Sequence, residues 1–543
     1  MPGRMPARCQ WVRPLGLTLC MLLGLQGAAR GQTAPATVGG PVGTTNTAAD
    51  LTQDAAAKGD DAKLNNEPKR FLTFEPRVTA TETYTDNLRL TSVDPDRAIT
   101  SLLSPGFTFT AQGRVLQGVI DYTMLSIHEF KSPEPDRLQH QLSSKLHWDP
   151  LDQLFTLDAT GTITNQVISA LGAQSTSPTL DNANSTQVGT LTVSPSSRVR
   201  LGSALVATMQ ASAMENRVKG TQVGDLSARS ADLSLAPVEG GVLSWQLDAQ
   251  LQKYAPKVAR ETESQRLIAA LSFRPDVELE LGANAGIDRN DYTSTDLERT
   301  KAYGFHVNWR PSEITSANLA WDHHSYGDSH GITIDHRLSR FAIHYSDNQQ
   351  ISPLGSQAIG TQTNYDLLYA MLASAEPDPT ARQALVQSIL KTYGLSADAI
   401  AAPGFLSSTL SMSRAQMLSA AWQGVRTTIS LIATRTSTNR IGSAVSIPGD
   451  DLSNAFSITQ TGGTINVAHQ LTPISTMTLA YSDLHTHSDV QGSASHLKML
   501  TGAFNTRFSP TSAFTLGFRR SEMESLLTPY TENAVFGTLQ QQF

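Results

Sequence analysis

Two short stretches of the chain carry residue types that could do chemistry. The first, "GDSHG" at residues 327 to 331, satisfies the G-x-S-x-G pattern of hydrolases, in which a serine, here Ser329, attacks an ester carbonyl. That chemistry places the serine on a sharp turn from a strand into a helix, whereas this stretch lies between two strand-like segments. We therefore interpret "GDSHG" as a polar hairpin loop.

Imidazole and carboxylate groups alternate in the second stretch, "SDLHTHSD". In an extended strand Asp483, His485, His487 and Asp489 would point to one side, and divalent metals accept such ligands. These four residues continue the apolar face formed by Met477, Leu479 and Tyr481. They are expected to lie outside the membrane, on the side of the long loops. A solvated loop is the preferred interpretation, and a surface metal site is the alternative. The histidines of "WDHHSYGDSH" are interpreted in the same way.

A larger polar set lies on one face of segments that alternate with a period of two. In "VELELGANAGID" one face is apolar and the other carries Glu278, Glu280, Asn284 and Asp288. The charged residues predicted to line a hydrated interior in this way are Asp121, Asp248, Glu278, Glu280, Asp288, Arg310, Asp322 and Arg519. Mixed charges suit neutral or mixed-charge cargo such as sugars, although any water-filled or plugged lumen is also polar. No acid/base pair or phosphate loop stands out, so the sequence predicts no enzymatic activity and no cofactor.

Turn signals indicate how these alternating segments are arranged. Ten short turns recur along the chain, three without proline ("AQGR", "HRLSR", "WQGVR") and seven with one. The seven prolines are Pro150, Pro195, Pro237, Pro275, Pro311, Pro473 and Pro510. Long polar loops lie on the other side, which is typical of outer-membrane barrels. The prediction for residues 71–543 is an all-β, transmembrane, antiparallel up-and-down barrel of about 22 strands (20 to 22).

Aromatic residues mark both expected edges of the membrane. Four tryptophans sit within about four residues of a short turn, namely Trp148, Trp245, Trp309 and Trp422. Near the opposite strand ends lie Tyr84, Tyr254, Tyr292, Tyr326, Tyr345 and Tyr481. Two girdles of this kind match a protein in contact with outer-membrane lipid.

The front of the chain predicts export. Residues 1–31 place Arg4, Arg8 and Arg13 before a short apolar run, the layout of a cleaved signal peptide. Residues 32–70 are polar and aperiodic, which indicates a disordered periplasmic leader. Both cysteines, Cys9 and Cys20, fall in the signal peptide, so disulfides and cysteine metal sites are excluded from the mature chain. The net charge of −7 becomes more negative once the signal is removed, which argues against a nucleic-acid partner.

Two further features concern the rest of the barrel. The segment "AVFGTLQQQF" is predicted to be the last strand, to pair with the first strand near Phe74 to Tyr84, and to present Phe543 as an insertion signal to the barrel-assembly machinery. Gln541 interrupts its apolar face, so this residue lies at the periplasmic interface or the predicted register is off by one. Residues 360–403 have helical spacing and predict a helical insert, a lid or plug, in one extracellular loop.

Four stretches resemble a known family: "FEPRVTATETYTDNLRL", "LLSPGFTFTAQGRVLQGVIDYTM", "TIDHRLSRFAIHYSD" and "AEPDPTARQALVQSILKTYGL". They are similar to the PEP-CTERM system-associated outer-membrane β-barrel family of Gram-negative bacteria, whose members are typically encoded with exopolysaccharide functions. The resemblance runs from about residue 71 to the end and brings no catalytic residues. It implies the outer membrane as location and a conduit for polymer or sugars, with export components or exopolysaccharide as partners. The alternative is a non-conducting barrel that docks matrix or export partners.

Overall fold

Alternating side chains build strands through nearly all of the chain that the structure describes. The computed structural model describes residues 71–130, 136–175, 177–352, 404–442 and 446–543. The predicted signal peptide (1–31), leader (32–70) and helical insert (360–403) lie outside these residues. Within them, one short helix, α1 (Asp451–Asn454), accompanies the strands. No helix in the described part of the chain has the length and apolarity needed to cross a bilayer.

Twenty-two strands follow one another along the chain. They are β1 (Leu72–Thr85), β2 (Ala98–Gln112), β3 (Leu116–Glu129), β4 (Arg137–Trp148), β5 (Thr156–Val167), β6 (Ser185–Leu201), β7 (Leu205–Val218), β8 (Leu226–Pro237), β9 (Leu243–Pro256), β10 (Thr262–Phe273), β11 (Leu279–Asn290), β12 (Glu298–Ser312), β13 (Thr315–His324), β14 (Gly327–Leu338), β15 (Phe341–Ser352), β16 (Ser411–Gln423), β17 (Thr427–Arg440), β18 (Ser457–Thr472), β19 (Ser475–Ser488), β20 (Ala494–Arg507), β21 (Ser512–Ser525) and β22 (Tyr530–Gln542).

Every strand pairs antiparallel with its neighbours in sequence, and the last strand pairs with the first. The β1–β22 ladder runs from Arg77 opposite Gln542 to Thr85 opposite Ala534. This pairing closes the sheet into a barrel without an edge strand. The predicted fold class and the upper end of the predicted strand count, 22, are therefore confirmed.

One face of the strands carries exposed apolar side chains. On β9 and β10, for example, Leu247, Leu251, Leu267 and Leu271 are between 38% and 55% exposed. The intervening positions carry polar groups that bind one another inside the barrel, as described below. With 10 residues in the shortest strand, each strand is long enough to cross a hydrocarbon layer. The outward face is that of a membrane-spanning barrel.

The predicted tryptophan girdle lies on the outward face. Trp148, Trp245, Trp309 and Trp422 are 39% to 48% exposed and lie near short turns, and Tyr481, at 43%, lies toward the other rim. Three of the six tyrosines assigned to the second girdle do not belong to it. Tyr254 and Tyr292 are enclosed, and Tyr326 lies in the β13–β14 loop with its ring 5.4 Å from that of Tyr292.

The ten short turns occur on one rim, as the sequence predicts, but one of them is displaced. Pro195 lies inside β6, and the turn falls at residues 202–204 around Gly202, whose φ is +70°. In the β6–β7 ladder Val193 pairs with Ala213, and the next pair is Ser196 with Gln210. Pro195 therefore lies where the pairing with β7 is interrupted. Since proline cannot donate a ladder hydrogen bond, it is tolerated where this ladder is interrupted.

Two successive alanines of β10 test which face meets lipid. Ala269 pairs with Leu247 and Ala285 on the apolar face, and Ala270 pairs with Gln246 and Asn284 on the polar face. We expect Ala269→Arg to lower the free energy of unfolding by about 2–4 kcal/mol, because it places a cation in lipid. Ala270→Arg is the matched control and should cost much less. Urea titration in liposomes measures both, and equal costs would contradict the assignment of faces.

Candidate functional site

Ion pairs between strands hold parts of the inward wall. Arg77 binds the carboxylate of Asp121 through two bonds of 2.9 and 2.6 Å. Arg519 binds Glu532 in the same way, at 3.1 and 2.8 Å, and both of these side chains are buried. Charges buried in this way are tolerated when they are paired and hydrogen-bonded. These pairs neutralise part of the wall, whereas the carboxylates of Asp248 and Asp322 are bound by amides rather than by cations.

The structure places the eight charged residues predicted for the lumen in two regions, the inward wall and the rim of short turns. Six lie on the inward wall: Asp121, Asp248, Glu280, Asp288, Asp322 and Arg519. Glu278 and Arg310 instead lie at the rim of short turns. Glu278 is exposed in the turn before β11, and its carbonyl oxygen accepts a hydrogen bond from the Arg310 amide at 2.7 Å. The predicted strand began too early because the alternation continues through the turn.

Several buried polar atoms of this wall have no hydrogen-bond partner among the described residues. They are Arg266 Nε, Glu280 Oε1, Asn284 Oδ1, His306 Nε2, His324 Nδ1 and Gln350 Oε1. Buried polar groups in proteins are almost always hydrogen-bonded, to water where the protein supplies no partner. Ordered water would therefore complete the hydrogen bonding of these atoms within the wall.

The "GDSHG" stretch is part of a strand, so its interpretation as a loop is wrong. It begins β14, and the hairpin loop before it consists only of Ser325 and Tyr326. The Oγ atom of Ser329 lies 3.0 Å from Nε2 of His324, and Nδ1 of His324 lies 3.6 Å from Oδ2 of Asp288. The three side chains come from β14, β13 and β11.

The alternating His/Asp row of β19 splits between different partners. Asp483 accepts a hydrogen bond from His496 at 3.0 Å, and the ring of His485 packs against that of His496 at 4.3 Å. Asp489 instead accepts bonds from the backbone amides of Phe456 and Ser457. Across the described residues no group of three or more His, Cys, Asp or Glu is arranged to hold a metal ion.

Three segments on the side of the long loops meet across the barrel mouth. We call residues 168–175, 404–410 and 446–456 the mouth cap. The first follows β5, the second precedes β16, and the third, which contains α1, precedes β18. Phe405 forms a parallel bridge with Val167, and the amide of Leu406 donates to the carbonyl of Val167 at 3.2 Å.

Two buried apolar clusters join the mouth cap to walls on roughly opposite sides of the barrel. One cluster consists of Ala170, Phe405, Leu452, Ala455 and Ile458, the last of which is on β18. The other consists of Val188, Val218, Val223, Leu406 and Ile447, and its first two members are on β6 and β7. Because β6 and β18 stand far apart in the strand order, the cap spans the mouth.

Two successive carboxylates fasten the cap. Asp450, which is fully buried, accepts hydrogen bonds from the hydroxyl of Ser407 at 2.9 Å, the amide of Ser408 at 2.8 Å and the hydroxyl of Thr409 at 3.1 Å. It also caps α1 through the amide of Leu452. Asp450 thus holds the second cap segment against the third.

Asp451, the next residue, holds the first segment. Its carboxylate accepts hydrogen bonds from the Ser169 hydroxyl at 3.0 Å and the Ala170 amide at 2.8 Å. Burial, together with the negative charge of Asp450, raises the pKa of the Asp451 carboxyl above its ordinary value. The fastening of this segment is therefore sensitive to pH.

Sequence reasoning did not find the cap or the residues that hold it. Asp450 and Asp451 follow "IPG" in a long polar loop, where an acidic pair normally faces solvent. The one usable signal was the apolar Ile447 and Leu452 on either side of the pair, which are buried in the structure.

Among known proteins, the chain is similar only to solved structures. No protein-family model and no curated protein matches the chain. The FrpB iron transporter of Neisseria meningitidis (F3-3 variant) is 9% identical with a TM-score of 0.47, over 86% of this chain and 81% of that chain. OccK2 (OpdF) of Pseudomonas aeruginosa is 11% identical with a TM-score of 0.32, over 87% and 98%. The outer-membrane protein opdK of the same organism is 8% identical with a TM-score of 0.34, over 87% and 99%. The fold rests on the chain's own strand pairing.

The raised pKa of Asp451 predicts how the cap responds to pH. A carboxyl that binds its proton more tightly in the closed cap favours closure at low pH, and this contribution is lost as pH rises through the raised pKa. We expect the Ala170 amide to exchange its hydrogen faster at pH 7 than at about pH 3.5, which lies below the ordinary carboxyl pKa of 3.8, after correction for intrinsic exchange. Asp451→Asn, which cannot ionise, should remove this difference, and an unchanged difference would contradict the assignment.

Proposed function

We propose that the protein is an outer-membrane barrel associated with exopolysaccharide export and that it acts as a gated conduit for hydrophilic polymer or sugars. The observation that carries the proposal is the polar inward wall, where side chains such as Asp248 and Asp322 line a membrane-spanning barrel. Partly exposed polar side chains of this kind bind water and can also bind the hydroxyl groups of a sugar. The outward apolar face supports the membrane location.

The mouth cap supplies the gate. Its two clamping carboxylates bind loop residues rather than strand residues, so the cap can open while the barrel ladder stays intact. The wall combines paired charges, such as Arg77 with Asp121, with carboxylates bound only by amides, such as Asp322. A wall of this kind suits neutral or mixed-charge cargo better than an anion.

A second candidate function is a non-conducting barrel that docks matrix or export partners. The observation that favours it is the pair of buried apolar clusters in the cap, since apolar burial keeps a mouth closed more permanently than hydrogen bonds alone. Conductance separates the two candidates.

The conduit predicts that weakening the clamp opens the barrel. Asp450→Ala leaves buried donors of the second cap segment unpaired, at about 1–3 kcal/mol each. We expect the open fraction in planar bilayers to rise about tenfold or more, and a neutral oligosaccharide to block the current. Asp276→Ala is the matched control, because Asp276 also accepts backbone bonds but is exposed in a short turn on the opposite rim. A barrel that stays closed in both variants supports docking instead.

The link to exopolysaccharide is tested in the cell. Deleting the chain should leave polymer synthesis intact and reduce polymer at the surface, because a conduit acts after synthesis. Polymer is measured separately in the periplasmic and surface fractions, with the wild-type chain returned as the control. Unchanged surface polymer would refute the export role.

A further inference from the structure

We propose that the inward wall of β11, β13 and β14 carries a second activity, the hydrolysis of a carboxylic ester of a hydrophilic molecule inside the barrel. Ser329 is the nucleophile and His324 is the general base. Asp288 positions His324. This activity does not depend on conduction, since it needs only the contacts among Ser329, His324 and Asp288.

The three side chains stand in the order that acyl transfer requires. The serine Oγ faces one nitrogen of the histidine, Nε2, at 3.0 Å, and the carboxylate faces the other, Nδ1, at 3.6 Å. A carboxylate beside Nδ1 favours the proton on that nitrogen, which leaves Nε2 free to accept from Ser329. Such contacts are often longer before substrate binds. Triads are recognised by this geometry rather than by a sequence motif.

Register and a small side chain bring the three residues together. Gly327 pairs with His324 and Ser329 pairs with Asp322, so the serine and histidine are diagonal neighbours on one face of the β13–β14 hairpin. On the intervening strand β12, Tyr303 pairs with His323, which places Ala302 beside His324. The single methyl group of Ala302 leaves the imidazole room to reach Asp288 on β11.

The surroundings differ from those of a histidine with a purely structural role. The side chains of His324 and Asp288 are only 3% and 2% exposed, yet Nδ1 of His324 makes no hydrogen bond to any described residue. The ring of Tyr326 stacks on His324 at 4.7 Å and covers it. Exclusion of water strengthens the attraction between an imidazolium and Asp288 as charge develops.

A cation stands near the same group. Arg266 on β10 pairs with Asp288 across the sheet, and its buried Nε has no hydrogen-bond partner in the described part of the chain. The carboxylate of Asp322, opposite Ser329, is bound by the amide of Asn284 at 2.8 Å. Arg266 therefore adds positive charge beside Asp288, four strands away from Ser329.

The reaction needs only the ester and water. The Oγ of Ser329 bonds to the ester carbonyl carbon while its proton passes to Nε2 of His324. His324 then gives that proton to the departing alkoxide oxygen as the C–O bond breaks, which leaves an acyl group on Ser329. Water attacks the acyl group, its proton passes through His324 to Oγ, and the acid leaves. The inward position of Ser329 favours a hydrophilic ester over a membrane lipid.

The test uses the full barrel in detergent with p-nitrophenyl acetate and a fluorophosphonate label. We expect the label on Ser329, located by mass spectrometry of the peptide, and hydrolysis above the detergent blank. Ser329→Ala and His324→Gln should lower hydrolysis at least about 100-fold. Asp288→Asn should lower kcat with little change in KM, which a merely structural effect on binding would not do. Ser346→Ala, at another buried inward serine, is the matched control and should keep full activity.

Access to the site is tested in parallel. The same measurements are made in the Asp450→Ala background, in which the cap is weakened, and strand content is checked by circular dichroism for every variant. Ser329 unlabelled in both backgrounds, or equal hydrolysis by wild type and Ser329→Ala, would overturn the proposal. Labelling of Ser329 in a barrel that does not conduct would support the hydrolase and refute the conduit, so the two proposals fail separately.

Discussion

The requirement that every backbone N–H and C=O be paired within lipid governs this structure. A sheet of 22 strands meets that requirement only if its last strand pairs with its first, and the ladder between β1 and β22 does so. Closure fixes the two faces of every strand, because alternate side chains then point either to lipid or to the interior. The exposed leucines of β9 and β10 and the ion pairs on the opposite face both follow from this geometry.

An interior closed off from lipid must neutralise its own charges. The wall does so by pairing residues of neighbouring strands, as Arg519 does with Glu532. Buried carboxylates are also hydrogen-bonded in the loops of the mouth cap. There Asp450 and Asp451 accept hydrogen bonds from hydroxyl and amide groups of two other segments. Where pairing is incomplete, as at Nδ1 of His324, the wall keeps a group that can activate Ser329 toward a solute. Transport and chemistry would then use the same polar surface.

Particular residues show which features of the barrel the sequence patterns predict correctly and which they do not. The tryptophans beside short turns mark a true rim, because a large amphipathic ring has few other favourable places on a barrel. The turn predicted at Pro195 is wrong, because proline is typical of turns but is also tolerated in a strand where the ladder is interrupted. Gln541 keeps the predicted register and lies opposite Ser512 at the rim of short turns, where its amide binds Thr511. This position corresponds to the periplasmic-interface alternative for Gln541.

By itself the sequence determined the faces, the number of strands and the side of the short turns, because a period of two and turn chemistry are local properties. The tertiary structure alone decided which loops meet over the mouth and which polar residues touch. Ser329, His324 and Asp288 lie on three different strands, and their contacts depend on the stagger between strands, which alternation leaves open. For the same reason the sequence alone does not show that "GDSHG" is part of a strand on which Ser329 faces His324 of the neighbouring strand.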